Sequence, residues 1–170
     1  MVDITIEKLK DEDAKKLYEF ELDNRGFFEK MVPSRGEDYY NFENFKIRHK
    51  ELLDEQALGL SYFYLIKNKK GSILGRMNLV DIDKVKQLGH IGYRVAEECS
   101  GKGVASIALK LLLESIDTTG IKKLLAKTTD INVASQKVLE KNGFKYIETS
   151  DEDFTFNGQS IKFLFYMWTM

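Results

Sequence analysis

Apolar and polar positions change period several times along the chain, and each change marks an element. "DITIEKL" alternates Ile4 and Ile6 with polar neighbours, the period of a half-buried strand, and "KDEDAKKLYEF" then moves to helical spacing with acids in its first turn. Pro33, the only proline, stands with Gly36 in "MVPSRGED" and should divide this helical region from a second one running through Tyr39, Phe42, Phe45 and Ile47 to Leu53. From Leu60 the texture turns aromatic and β-branched in "LSYFYLIKN", "SILGRMNLVDI" and "HIGYRVA", with "NKKG" as the loop between the first two. Three antiparallel strands are expected there.

Next, Val104, Ile107, Ala108, Leu111, Leu112 and Ile116 form a stripe that predicts a helix over about 103–118 with one face against a sheet. "KKLLAKT" reads as a strand and 133–142 as a helix. A strand from Phe144 leads through "DEDFTFNGQS", with Asn157-Gly158 as turn signal, into the closing strand "KFLFYMWTM". The order β-α-α-β-β-β-α-β-α-β-β is that of a mixed α/β sheet, without repeats or a low-complexity linker.

Composition narrows the function. With 170 residues, 43% of them hydrophobic, the chain fills one core but not two, so a single domain over 1–170 is expected. Its 26 basic and 27 acidic side chains are evenly spread, so charge argues against nucleic acid or an anionic membrane as partner. Cys99 is the only cysteine and there are two histidines, so neither a disulfide nor a zinc-like spacing exists, and no metal is expected. The start lacks a basic segment followed by an apolar core. The longest apolar runs, "YFYLI" and "FLFYMW", fall far short of the ~20 residues that span a bilayer. A soluble cytoplasmic protein is the expectation.

The candidate chemistry lies in "YRVAEECSGKGVASIALKLLLE", a strand-like run, a glycine pair and a long apolar helix. Gly101 and Gly103 let a loop turn tightly, and the helix that follows adds free N–H groups and a positive dipole end, the means by which backbone holds phosphate. A Walker loop is excluded, since no glycine precedes Lys102 at the required distance. A dinucleotide fingerprint would read Gly101 to Ser106 as G-x-G-x-x-S with Asp130 as the ribose acid, but too little chain follows to finish a doubly wound sheet. A plain glycine turn into a buried helix fits the hexapeptide equally well.

Ser100-Gly101-Lys102-Gly103-Val104-Ala105 resembles the pyrophosphate loop of the GNAT acetyltransferases, Gln/Arg-x-x-Gly-x-Gly/Ala, and departs from it at Ser100. "NVASQKVLEKNGF" resembles the family's other signature, Asn-x-x-Ala/Ser-x-x-x-Leu/Tyr-Glu-Lys-x-Gly-Phe, one helix and one strand later. Together with "IGYRVAEECSGKG" and "NRGFFEKMVPSRGEDYY", the likeness covers nearly the whole chain and is to the RimJ/RimL branch, which acetylates ribosomal-protein N-termini. It implies the GNAT fold, a mostly antiparallel sheet of about seven strands with about four helices in three layers.

The resemblance also implies roles. Acetyl-CoA is the co-substrate, its pantetheine held by the backbone of Tyr93, Arg94 and Val95 and by Asn132, its pyrophosphate by Ser100, Gly101, Lys102, Gly103, Val104 and Ala105. The plain alternatives are a helix N-cap for Asn132 and an exposed loop lysine for Lys102. The tyrosine that many GNATs use as general acid is replaced by Leu139, and in this branch Ser135 matches a serine that can fill that role. For the base, His90 in "HIGYR" stands where the branch often has glutamate, and an imidazole is a natural proton acceptor. The plainer alternatives are a hydrogen-bonded structural histidine on a strand and, for Ser135, a first-turn helix residue bonding backbone. Tyr39, Tyr40, Phe42 and Phe45 are candidates to line the acceptor site, and Glu37, Asp38, Asp151, Glu152 and Asp153 to attract a cationic amine. The implied acceptor is a protein N-terminal amine. The alternatives are a small amine, or a module that binds acetyl-CoA without turnover. A monomer or homodimer is expected.

Overall fold

A computed structural model describes residues 2–170, and its elements follow the periods of the sequence. Strand β1 (Ile4–Lys8) leads to helices α1 (Ala14–Asp23), α2 (Arg25–Glu29) and α3 (Phe42–Ala57). An antiparallel meander follows as β2 (Tyr62–Asn68), β3 (Ile73–Asp83) and β4 (Leu88–Val95), then α4 (Val104–Glu114), β5 (Lys123–Thr129), α5 (Val133–Lys141) and β6 (Lys145–Thr149). A small hairpin, β7 (Phe154–Phe156) and β8 (Gln159–Ile161), precedes β9 (Phe163–Thr169).

Seven strands form one sheet in the order β1-β2-β3-β4-β5-β9-β6, while β7 and β8 pair only with each other. Every pairing in the large sheet is antiparallel except β4 with β5. This is the expected architecture with five helices rather than about four.

The extra helix arises at Asn24. Its amide Nδ2 donates to the Phe20 carbonyl at 3.0 Å and its Oδ1 accepts from the Glu97 N–H at 3.0 Å, so the first helical region breaks before Pro33 is reached. Tyr39 sits in a 3-10 turn ahead of α3, because Asn41 caps that helix by accepting from the Asn44 N–H at 3.2 Å. Helix α4 stops at Glu114, and a separate 3-10 turn carries the buried Ile116.

Side-chain alternation on β3 assigns its two faces. Arg76, Asn78 and Val80 share one cavity with Leu17 of α1 and Phe45 of α3, whereas Met77 and Leu79 are fully buried on the other face. There α4 lies against β1, β3 and β4. Burial of Val104, Leu109 and Leu112 contributes roughly 1.5–3 kcal/mol each. The start of α4 is thereby fixed relative to the end of β4. Among the described residues no helix is long and apolar enough to cross a membrane.

Candidate functional site

The parallel partners β4 and β5 pair only from Leu88–Ile91 against Lys123–Ala126. Beyond that point β4 stays with β3 through Val95 and β5 stays with β9 through Thr129, so the two strands part. The facing edges of Gly92–Val95 and Lys127–Thr129 lack a partner strand, an opening that takes an extended ligand as an added strand would.

The loop beyond β4 meets this opening. Gly101 (φ +74) and Gly103 (φ +80) both hold the left-handed conformation that glycine adopts without strain. Gly103 is the N-cap of α4 and supplies no side chain, and the N–H groups of Val104 and Ala105 reach no backbone carbonyl among the described residues. Helices α3 and α5, by contrast, are each capped by an asparagine. An uncapped start on a well-anchored helix is an anion receptor, and it fits a diphosphate. Ser100 and Lys102 are exposed beside it. Cys99 is buried, and burial followed by the Glu98 carboxylate pushes its thiol up, so it is a poor nucleophile.

Across the opening stands the first turn of α5. Asn132 Oδ1 accepts from the Ser135 N–H at 3.1 Å, the ordinary capping bond, which leaves its Nδ2 for another acceptor. Ser135 Oγ lies 3.2 Å from Tyr93 Oη, which also donates to the Ser135 carbonyl at 3.3 Å. Burial pushes the Tyr93 phenol up to about 12, so this pair of hydroxyls stays protonated at neutral pH. Sequence reasoning used only the backbone of Tyr93. The signal for its side chain was the two-residue step from buried Ile91, which turns it to the α4–α5 side. Leu139 is 1% exposed, part of the core.

His90 is three residues from Tyr93 on an unbulged stretch, so it lies on the opposite face of the sheet, opposite Val80 of β3 and beside Leu125 of β5. Its Nδ1 is buried and has no hydrogen-bond partner among the described residues. Among the described residues no hydrogen bond joins His90 to Ser135; His90 lies in the paired stretch of β4 next to the opening, on the opposite face of the sheet, and does not line the cavity found on that face.

On the His90 face lies a cavity of about 210 Å³ whose lining includes Arg35, Tyr39, Phe45, His49, Arg76 and Asn78. Arg76 is buried and donates from Nη1 to Glu21 Oε1 at 2.7 Å and to Tyr39 Oη at 3.2 Å. The Arg94 side chain comes to the same face, its guanidinium 4.8 Å from the Phe28 ring centre and 3.6 Å from Glu21 Oε2. Of the four aromatics expected at the acceptor site, Tyr39 and Phe45 line this cavity and Tyr40 and Phe42 do not. The expected acids are elsewhere: Glu37 pairs with Arg25 at 2.6 Å, and Asp153 binds Ser160 at 2.7 Å and Lys162 at 3.4 Å. A larger cavity of about 790 Å³ lies between α1, the β2–β3 turn and Glu97–Glu98, and contains neither Ser135 nor His90.

Residues 3–145 match the family model described as "Acetyltransferase (GNAT) domain". The chain belongs to the GNAT acetyltransferases. This GNAT chain is similar to "Probable N-acetyltransferase YjcK" of Bacillus subtilis (strain 168), 27% identical over 144 residues that cover 83% of this chain and 80% of that one. Among solved structures, the ribosomal-protein-S5-alanine acetyltransferase from Vibrio fischeri superposes with a TM-score of 0.90 at 20% identity, covering 99% of this chain and 94% of that one. RimJ of Mycobacterium smegmatis, in complex with CoA-disulfide, gives 0.85 at 20% identity, covering 98% and 81%. The GNAT protein is thus an acyltransferase with acetyl-CoA as co-substrate. The open start of α4 and the parted strands are the features of this GNAT chain that suit that ligand.

Proposed function

We propose that this GNAT enzyme moves the acetyl group from acetyl-CoA directly to the N-terminal amine of a protein, with both substrates bound together. The observation that carries this reading is that polar groups stand on opposite faces of the sheet at and next to the strand opening. The Tyr93–Ser135 hydroxyl pair reaches it from the α5 side, and the unpartnered Nδ1 of His90 lies on the cavity side. Acetyl-CoA and an amine can therefore enter from opposite sides without exchanging places.

The residues divide as follows. The loop from Ser100 to Ala105 holds the pyrophosphate through the N–H groups around Gly101, Gly103, Val104 and Ala105, with Lys102 adding charge. The Tyr93, Arg94 and Val95 backbone and the Asn132 amide hold the pantetheine. His90 takes the proton that the ammonium must lose before its nitrogen can attack the thioester carbonyl. As the carbon–sulfur bond breaks, Ser135, hydrogen-bonded to Tyr93, gives its proton to the departing sulfur, and the second proton shed by the acylated nitrogen restores the serine hydroxyl. Tyr93 supports this step because its phenol remains neutral. The Vibrio fischeri protein, by its name a ribosomal-protein acetyltransferase, supports a protein terminus as acceptor.

The test is CoA release over a panel of peptides, with mass spectrometry locating the added acetyl group. Transfer to the α-amine, abolished by prior blocking of that amine, is expected. CoA release never above the no-protein rate while acetyl-CoA still binds would refute the enzyme reading. Acetylation of lysine side chains alone would refute the protein-terminus part.

A further inference from the structure

The cavity on the His90 face is basic. Arg35, Arg48 and Arg76 line it, and none of its lining residues is a carboxylate. Arg48 is occupied by Glu51 at 3.1 Å on the exposed side of α3. Glu21, fully buried, is the one carboxylate behind the others, and it is shared between Arg76 and Arg94. Arg35 has no carboxylate partner among the described residues; it donates to Tyr39 Oη at 3.0 Å with its guanidinium 4.8 Å from the Tyr39 ring centre. Arg76 and Arg94 thus share one carboxylate, and Tyr39 links Arg76 to Arg35 through its hydroxyl. Two further polar atoms in the lining, His49 Nδ1 and Asn78 Oδ1, are buried without partners. His49 Nε2 faces the Lys10 carbonyl at 2.9 Å and must carry a proton toward it.

Such an excess of positive charge in a half-buried pocket is costly unless an anion completes it. Burial, and next the charge of Arg35, push the Arg94 guanidinium down to about 10, the sign of a cation short of counter-charge. The strand register gives the placement. Arg76 and Arg94 are paired across β3 and β4, two residues beyond Gly92, where the opening between β4 and β5 begins. That is about 7 Å along the strand. An amine in the opening would have its counter-anion at about that distance, the reach of an acidic side chain on the first or second residue of a peptide.

Resting on the reading of this protein as an N-terminal acetyltransferase, we infer that its acceptor carries an acidic side chain within its first two residues, bound by Arg35, Arg94 and Arg76. A cavity of about 210 Å³ is below the ~300–1,000 Å³ of whole-ligand sites, and takes one side chain rather than a whole acceptor.

The experiment uses the full chain and peptides identical except for Glu, Gln or Lys at their second residue. The Glu peptide should exceed the Gln peptide by about five- to tenfold in kcat/KM, with the Lys peptide lowest and the difference in KM. Arg35→Glu, at an exposed position, should fold normally, bind acetyl-CoA as before, and reverse the order of Glu and Lys peptides. Equal rates for the Glu and Lys peptides, or an unchanged order in Arg35→Glu, would overturn the inference. Turnover of free glutamate but of no peptide would support the anion requirement and overturn the protein-terminus reading alone. Bound acetyl-CoA with no turnover of any acceptor would overturn both.

Discussion

Gly103 offers a substitution in which protein stability and ligand affinity part. Its φ of +80° is left-handed, its surroundings are exposed, and an added Cβ would meet nothing within 4 Å. Gly103→Ala therefore carries a conformational cost alone, about 1–2 kcal/mol. Gly103→Glu carries the same cost, but places a carboxylate at the helix start where the Val104 and Ala105 N–H groups lack partners. The helix dipole should return about 0.3–1 kcal/mol, making the apo Glu variant as stable as the Ala variant or more so. For acetyl-CoA the sign is opposite. A carboxylate about 5 Å from a pyrophosphate charge, at an effective dielectric near 20, costs about 3 kcal/mol, roughly two powers of ten in Kd. Titration calorimetry gives the affinities, and thermal melts without ligand give the stabilities. Equal Kd values for the Glu and Ala variants would refute the assignment of this loop to the pyrophosphate.

Ser135→Ala should lower kcat by roughly a hundredfold or more and Tyr93→Phe by about tenfold, with acetyl-CoA affinity changed less than about twofold in each; steady-state CoA release against calorimetric Kd separates the two effects. His90→Gln should lower kcat by at least about tenfold with acetyl-CoA affinity little changed, and a wild-type kcat in this variant would exclude His90 as the base. Glu21→Gln strands Arg76 in the interior and should cost about 3–5 kcal/mol, a fall in Tm of roughly 10 °C by scanning calorimetry. Because burial raises the Tyr93 phenol from 10.0 to about 12, the folded state binds its proton more tightly than the unfolded state. That contribution is complete below pH 10 and is lost as pH rises toward about 12, so wild-type stability should decline across this window more steeply than that of Tyr93→Phe.

The fold was legible because its elements are set locally. Alternation marked β1, aromatic and β-branched runs marked the meander, the stripe from Val104 to Ile116 marked α4 and overran its end at Glu114, and Asn157-Gly158 marked a turn, where both residues have positive φ, that joins the additional strands β7 and β8. The misses have physical causes. Asn24 breaks a helix through a bond to Glu97, 73 positions away in the chain, which no local pattern encodes. The loop and cap proposed for the cofactor are contiguous motifs, the kind a sequence can suggest. The cavity proposed for the acceptor is not contiguous. Its charge depends on Glu21, Arg76 and Arg94 meeting from α1, β3 and β4, and of the five acids suggested for the acceptor, Glu37 is held by Arg25 and Asp153 by Lys162.

The parting of β4 from β5 also bears on how ligand and stability are linked. A pair of adjacent parallel strands would normally continue its ladder, and here it stops after Ile91 although both chains remain extended on their outer sides. The inner backbone groups of Gly92–Val95 and Lys127–Thr129 forgo strand pairing, each hydrogen bond being worth about 0.5–1.5 kcal/mol net. Water satisfies such groups in the free protein, and the amides of a pantetheine arm are of the right type to replace that water. With the pantetheine placed as proposed, binding would complete a sheet as well as fill a site. Acetyl-CoA at a hundred times its Kd should stabilise the fold by about 2.7 kcal/mol. Slowed amide exchange should appear on the inner edges of β4 and β5 and at the start of α4, and not on β1 or β6. Protection spread evenly over the sheet would mean that the ligand binds somewhere other than the opening.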